Sequence, residues 1–151
     1  MKKIVIGSDK SGFPLKEAVK AHLVELGYEV EDCGTQDMEH GQPYYMVAPV
    51  VAEKISRKEY EKGILICGTG IGISMAANKV KGIRAACCSD CFSAKYTRLH
   101  NNANVLCFGG RVVGAGLACM MVDAFLETGF EGGRHQRRVD KILALEENFG
   151  K

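Results

Sequence analysis

The sequence predicts an α/β fold, a Rossmann-like three-layer α/β/α sandwich around a five-stranded parallel sheet. Three observations predict it. Short β-rich runs alternate with segments of helical period along the chain, which implies parallel strands joined by right-handed crossovers. The run at residues 62–66 is apolar enough to be buried on both faces, as strands of parallel sheets are. That run passes directly into a glycine turn, Cys67-Gly68-Thr69-Gly70-Ile71-Gly72, and ligands of open α/β sheets bind beyond the carboxyl ends of the strands.

The elements follow in order. Residues 3–7 form the first strand. Residues 11–26 read as a helix with Leu15, Val19, Leu23 and Leu26 on one face. Pro14 falls in its first turn, where a missing N–H costs little, and Gly27 caps its end. Residues 28–33 are the second strand, 34–43 a polar loop, 44–56 a helix and 62–66 the third strand. A helix at 72–78 leads to a fourth strand at 83–88, and Ser89 or Asp90 can N-cap a helix over 89–99. Residues 104–108 are the fifth strand, with helices at 114–127 and 134–149. No repeat or linker interrupts the pattern, so residues 1–151 are expected to form one domain, within the common range of about 100–150 residues.

Composition narrows the function classes. With 46% hydrophobic and 25% charged residues the chain is ordinary globular protein, and its formal net charge of +2 supplies no strong field for nucleic acid or a membrane surface. No apolar run approaches the ~18 residues that a membrane span needs. The amino terminus has too short an apolar run before Gly7 for a signal peptide. Seven cysteines, an odd number, mostly sit inside apolar runs, where they read as reduced, core-forming thiols. The expected compartment is the cytoplasm.

The carboxyl-edge rule selects Asp9 and Lys10 after strand one, Cys67 to Gly72 after strand three, residues 89–91 after strand four and Arg111 after strand five. The glycine turn is not a dinucleotide fingerprint, since the sixth position from Gly68 is Ile73, and it lacks the Gly-Lys-Ser/Thr ending of a Walker loop. It is either a plain tight turn or an anion site, because it opens a helix whose N–H groups and dipole favour negative charge. Cys67 is either a small residue in a crowded turn or a thiol whose thiolate form the helix start favours. A thiolate beside a row of N–H donors combines a base with an oxyanion hole, which suits proton abstraction next to a carbonyl.

Cys88 and Cys91 make a C-x-x-C spacing. No second ligand pair completes a zinc site, and the neighbours of a thioredoxin motif are missing, so buried or incidental cysteines are the expectation against a redox role. His100 is placed in an asparagine-rich loop after a helix, on or near the ligand side, where it can serve as a general acid. Arg134 and Arg138 share a face one turn apart at the start of the last helix. Basic residues there oppose the dipole preference, which favours a bound phosphate over a bare solvated helix start. A nucleic-acid patch is the weaker rival, without aromatic interleaving.

Cys67-Gly-Thr-Gly-Ile-Gly, Ala77-Asn78-Lys79, His100-Asn101, Phe108-Gly-Gly-Arg-Val-Val-Gly114 and Gly132-Gly-Arg-His-Gln-Arg-Arg138 fall in one order along the chain. In these the chain resembles the type B ribose-5-phosphate isomerases and the related galactose-6-phosphate isomerase subunits, over essentially its whole length. The resemblance implies metal-free, cofactor-free interconversion of an aldose phosphate and a ketose phosphate through a cis-enediolate, with ribose 5-phosphate to ribulose 5-phosphate the first reaction to consider. It implies Cys67 as the base, Thr69 beside it, and the N–H groups of Gly68, Gly70, Ile71 and Gly72 receiving the enediolate. His100 would open the sugar ring, and Asn101 and Asp9 would contact hydroxyls. Lys10, Arg111, Arg134 and Arg138 would hold the phosphate. It also implies a homodimer or dimer of dimers with shared sites, the last helix reaching toward the partner, and a place in pentose phosphate metabolism. Two positions depart from the ribose-type pattern. Asp9-Lys10 stands where Asp-His is usual, and Gly41-Gln42-Pro43 where Asp-Tyr-Pro is usual. Tetrulose, allose and galactose phosphates are therefore alternatives, as is a non-catalytic phosphosugar-binding subunit.

Overall fold

The computed structural model describes residues 2–150. β1 (Lys3–Ser8), β2 (Glu29–Asp32), β3 (Gly63–Cys67), β4 (Ala85–Cys87) and β5 (Val105–Gly109) form one sheet. Its order is β2-β1-β3-β5-β4 and every pairing is parallel. The connecting helices are α1 (Phe13–Glu25), α2 (Tyr44–Ser56), α3 (Ile71–Ala77), α4 (Cys91–Asn101) and α5 (Ala115–Glu127), and α6 (Arg134–Asn148) follows.

Strand alternation divides the core into two layers. Ile4, Ile6, Ile64, Ile66, Leu106 and Phe108 face α1, α4 and α5, while Val5, Leu65, Cys67, Val105 and Cys107 face α2 and α3. Burying each large aliphatic or aromatic side chain here contributes about 1.5–3 kcal/mol. α6 packs against α4 outside these layers. It leaves Ile142, Leu145 and Phe149 at 46%, 51% and 78% exposure.

Several expected details change. α1 starts at Phe13 because the Asp9 carboxylate accepts the Gly12 N–H at 2.9 Å and holds residues 9–12 as a turn. Leu26 lies beyond the helix and is exposed. Lys16 is buried instead, its Nζ 2.6 Å from Asp32 Oδ2 and donating also to the Thr35 carbonyl. His22 is partly buried, with Nε2 2.6 Å from Asp123 Oδ1. β4 shrinks to Ala85–Cys87 because Ile83 closes a turn onto Val80 and the Arg84 N–H is taken by the Asn104 side chain.

Candidate active site

The sheet reverses its strand order beside β1, since β2 lies to one side and β3 to the other. At such a switch point the chain diverges and leaves a crevice at the carboxyl ends. Asp9 and Lys10 leave β1 into it, Cys67 ends β3, and Arg111 follows β5. Two backbone bonds lash β5 to the glycine turn, Gly110 N–H to the Cys67 carbonyl at 2.8 Å and Arg111 N–H to the Gly68 carbonyl at 3.0 Å.

Cys67 is 4% exposed, and its Sγ accepts the Gly70 N–H at 3.2 Å. Gly70 has φ 84° and would place a Cβ 2.6 Å from the Phe108 backbone, so only glycine fits the turn that aims this N–H. Thr69 is exposed at the mouth, its Oγ1 accepting the Ile71 N–H at 3.2 Å. The N–H groups of Gly68 and Thr69 donate to no group among the described residues. Gly72 lies under the Tyr44 ring, where an added Cβ would sit 2.8 Å from the ring edge. Tyr44 thus forms a wall of the site that no sequence pattern singled out. Beside it a cleft of about 420 Å³ is lined by Asp9, Lys10, Gln42 and Tyr44. The Asp9 carboxylate is fixed by Gly12 N–H at 2.9 Å and Ser11 Oγ at 3.1 Å. The glycine turn, Cys67, Asp9, Lys10 and Arg111 therefore gather at one edge.

His100 and Asn101 do not join them. α4 extends through Asn101 and ends at Asn102, whose φ of 48° caps it, so His100 stands in the last helical turn and not in a loop. Crossover helices run opposite to the strands they connect, and their C-termini lie at the amino edge of the sheet. The contacts agree: Arg84, just before β4, donates Nε to the Asn101 carbonyl at 3.1 Å. The expectation that His100 lies on the ligand side of its own chain is thus corrected.

Arg134 and Arg138 belong to that same distant edge. The Glu131 N–H donates to the Leu99 carbonyl at 3.1 Å, which starts α6 beside the end of α4. The His135 ring stacks on His100 with centroids 4.1 Å apart and planes at 9°, and the edge of Tyr96 meets the other side of His100. Burial first, then the charge of His100 and that of Arg134, push the His135 imidazole below the usual histidine range. Neither His135 nor Glu131 was given a role in the sequence, although His135 falls inside the Gly132–Arg138 motif. The nitrogens of His100 and His135 and a Glu131 oxygen lie within 4.8 Å of one another, the one metal-ligand grouping among the described residues. Stacked rings point their in-plane lone pairs side by side, not toward one ion.

Cys88 is 6% exposed, and burial pushes its thiol up to about 11, with the neighbouring Cys87 and Asp90 acting in the same direction. Both Cys88 and Cys91 pack with the core layer under α4 and are unpaired. A raised thiol with no partner lacks the thiolate that redox exchange uses.

Comparison with known proteins adds to this geometry. A family model described as Ribose/Galactose Isomerase matches residues 4–142. The chain is 55% identical to ribose-5-phosphate isomerase B of Escherichia coli, covering 97% of this chain and 98% of that one. It is 45% identical to a 4-deoxy-4-sulfo-D-erythrose isomerase of a Clostridium species, over 98% and 93%. The structure is similar to that of ribose-5-phosphate isomerase B from Mycoplasma genitalium with bound ribulose 5-phosphate, with a TM-score of 0.91, 44% identity and 96% of each chain covered.

Proposed function

The chain belongs to the ribose/galactose isomerase family and is an aldose–ketose sugar isomerase, and we propose that its reaction is ribose 5-phosphate to ribulose 5-phosphate. The observation that carries the mechanism is the Cys67 sulfur, buried at the mouth of the glycine turn and hydrogen-bonded by the Gly70 N–H. As thiolate, Cys67 takes the proton from C2 of the open-chain aldose and, once the O2 hydroxyl proton has passed to O1 in the enediolate, returns it to C1, leaving the C2 carbonyl of the ketose. The open N–H groups of Gly68 and Thr69 face the place where the enediolate oxygen gathers charge, and removing one such donor typically costs about 2.7–4 kcal/mol of transition-state stabilisation. Asp9, pinned by its own turn, accepts from sugar hydroxyls. Lys10 and Arg111 add positive charge around the cleft.

The ring-opening acid and the remaining phosphate ligands come from a second copy of the chain. His100, Asn101, Arg134 and Arg138 stand at the opposite edge of the sheet from Cys67, and no side-chain rotation spans a strand length. Two copies placed edge to edge, each lending its His100 end to the other's glycine turn, complete two sites. The apolar residues left bare on α6 favour such an interface. The proposed protein is thus a homodimer, or dimer of dimers, of one-domain subunits working in the cytoplasm.

A second reading keeps the chemistry and shortens the sugar. Lys10 and Gln42 share the cleft beside Tyr44, where the ribose-type pattern has histidine and tyrosine. A fixed ammonium suits a terminal phosphate or sulfonate, and a relative 45% identical to this chain is a 4-deoxy-4-sulfo-D-erythrose isomerase, so a four-carbon substrate is the alternative. A turnover panel over four-, five- and six-carbon aldose phosphates and 4-deoxy-4-sulfo-erythrose, run in deuterated water, decides between them. Ribose 5-phosphate ranking first, with deuterium entering the product, upholds the first reading. A four-carbon sugar ranking first overturns it in favour of the second.

A further inference from the structure

We propose that a basic cleft at the amino edge of the sheet binds a tetrahedral phosphate-type anion. The cleft, about 400 Å³, lies between the start of β3 and the end of α4, away from the glycine turn. Lys58, Lys62, Arg84 and Arg98 line it against one carboxylate, Glu61. None of the four cations forms an ion pair among the described residues.

The two guanidiniums are held in place by neutral oxygens. Arg98 is 7% exposed; its Nε donates to the Thr128 carbonyl at 3.2 Å, and its Nη1 to the Ala103 carbonyl at 2.6 Å and Asn102 Oδ1 at 2.9 Å. Arg84 donates Nε to the Asn101 and Asn102 carbonyls at 3.1 and 3.0 Å. Each thus keeps its second amino group, Nη2, without a hydrogen bond among the described residues, on a fork that cannot swing away. Arginine presented this way matches phosphate oxygens.

Like charge accumulates here, four cations against one lining carboxylate. Burial, and then the Arg98 charge, push the Lys62 ammonium down; burial, and then Arg84, push the Arg98 guanidinium down. Glu61 offsets part of this at Lys62 and Arg98, and Glu146 part at Arg84, but burial, with mutual repulsion at Lys62 and Arg98, still pushes all three cations down, and a bound dianion relieves that repulsion. The cleft also touches the backbone of Asn101 and Asn102 through Arg84, so its occupancy is felt at the helix end that carries His100. Its existence does not depend on the isomerase mechanism.

The test is a titration of the 15N-labelled full-length protein, followed through backbone amides at constant ionic strength. One arm uses inorganic phosphate and the other glycerol 3-phosphate. The expected result is saturable shifts at Lys62, Arg84 and Asn104, on an isotherm separate from that of Gly68 to Gly72. In Lys62→Met that isotherm weakens at least about tenfold, the loss of one charge-assisted contact, while isomerisation is unchanged. Arg84→Lys keeps the charge and loses the fork, and it too weakens binding. Equal affinity in the two arms names free phosphate as the ligand, and tighter binding of the ester names an organic phosphate; either upholds the site. Absence of saturable shifts at these amides, or shifts unaltered in Lys62→Met, overturns it.

Discussion

At the carboxyl edge of the sheet, Cys67, Gly70 and Asp9 are fixed by backbone contacts: a φ of 84° at Gly70, a Phe108 backbone within 2.6 Å of any Cβ there, and an N–H bond into the Asp9 carboxylate. At the amino edge, His100 stands on a helix end stacked on His135, while Arg134 and Arg138 stand exposed at the start of another helix. One edge is a rigid cradle with donors and a thiol but no ring-opening acid. The other holds an acid and phosphate-seeking cations but no base. Each lacks what the other has, and on the proposed reading two copies, edge to edge, would complete each other's site.

The contrast breaks most severely at the thiol. Cys67→Ala should lower turnover by about 10²–10⁴-fold, the usual contribution of a positioned base, apart from the about 0.5–3 kcal/mol of stability lost with a buried side chain; full activity in the variant contradicts the assignment. Next comes the cradle itself. Gly70→Ala forces a left-handed alanine against backbone, and should cost at least about 2 kcal/mol of stability, read as a lower denaturant midpoint together with lost activity. Wild-type stability in the Gly70→Ala variant would show that the turn can relax.

The amino edge should respond to pH. The His135 imidazole is held below its ordinary value in the folded chain. The unfolded chain therefore binds the extra proton first, and folding stability falls as pH drops below the ordinary histidine value of about 6.5. His135→Phe should flatten that part of the stability–pH curve, as followed by urea unfolding. Smallest of all, Cys88→Ser and Cys91→Ser should leave isomerisation within about twofold and act only through packing, typically within about 0.5–3 kcal/mol. Activity lost under oxidation and spared in Cys91→Ser would revive a redox role.

The two edges also differed in how far the sequence revealed them. The glycine turn was legible because a buried strand, a cysteine and three alternating glycines occupy consecutive positions, and local geometry follows from local sequence there. The end of α4 was misplaced because His100-Asn101-Asn102 reads as polar loop, whereas the left-handed Asn102 lets the helix run on to Asn101. Which edge a residue occupies is a property of chain direction, and a single histidine carries no sign of it. Lys16 escaped notice for a related reason. A lysine one residue from the apolar stripe reads as exposed, and its burial depends on Asp32, sixteen residues away, meeting it at 2.6 Å.

Each site is proposed to join Cys67 of one copy to His100 of another, and mixing inactive variants tests that pairing. Cys67→Ala and His100→Asn proteins, each depleted of activity alone, should be unfolded together in equal amounts, refolded and assayed on the ring-closed sugar phosphate. Random pairing makes half of the dimers mixed, each with one intact site of two, so about one quarter of wild-type activity should return. A mixture no more active than its two components would place both residues in the same subunit's site and contradict the account.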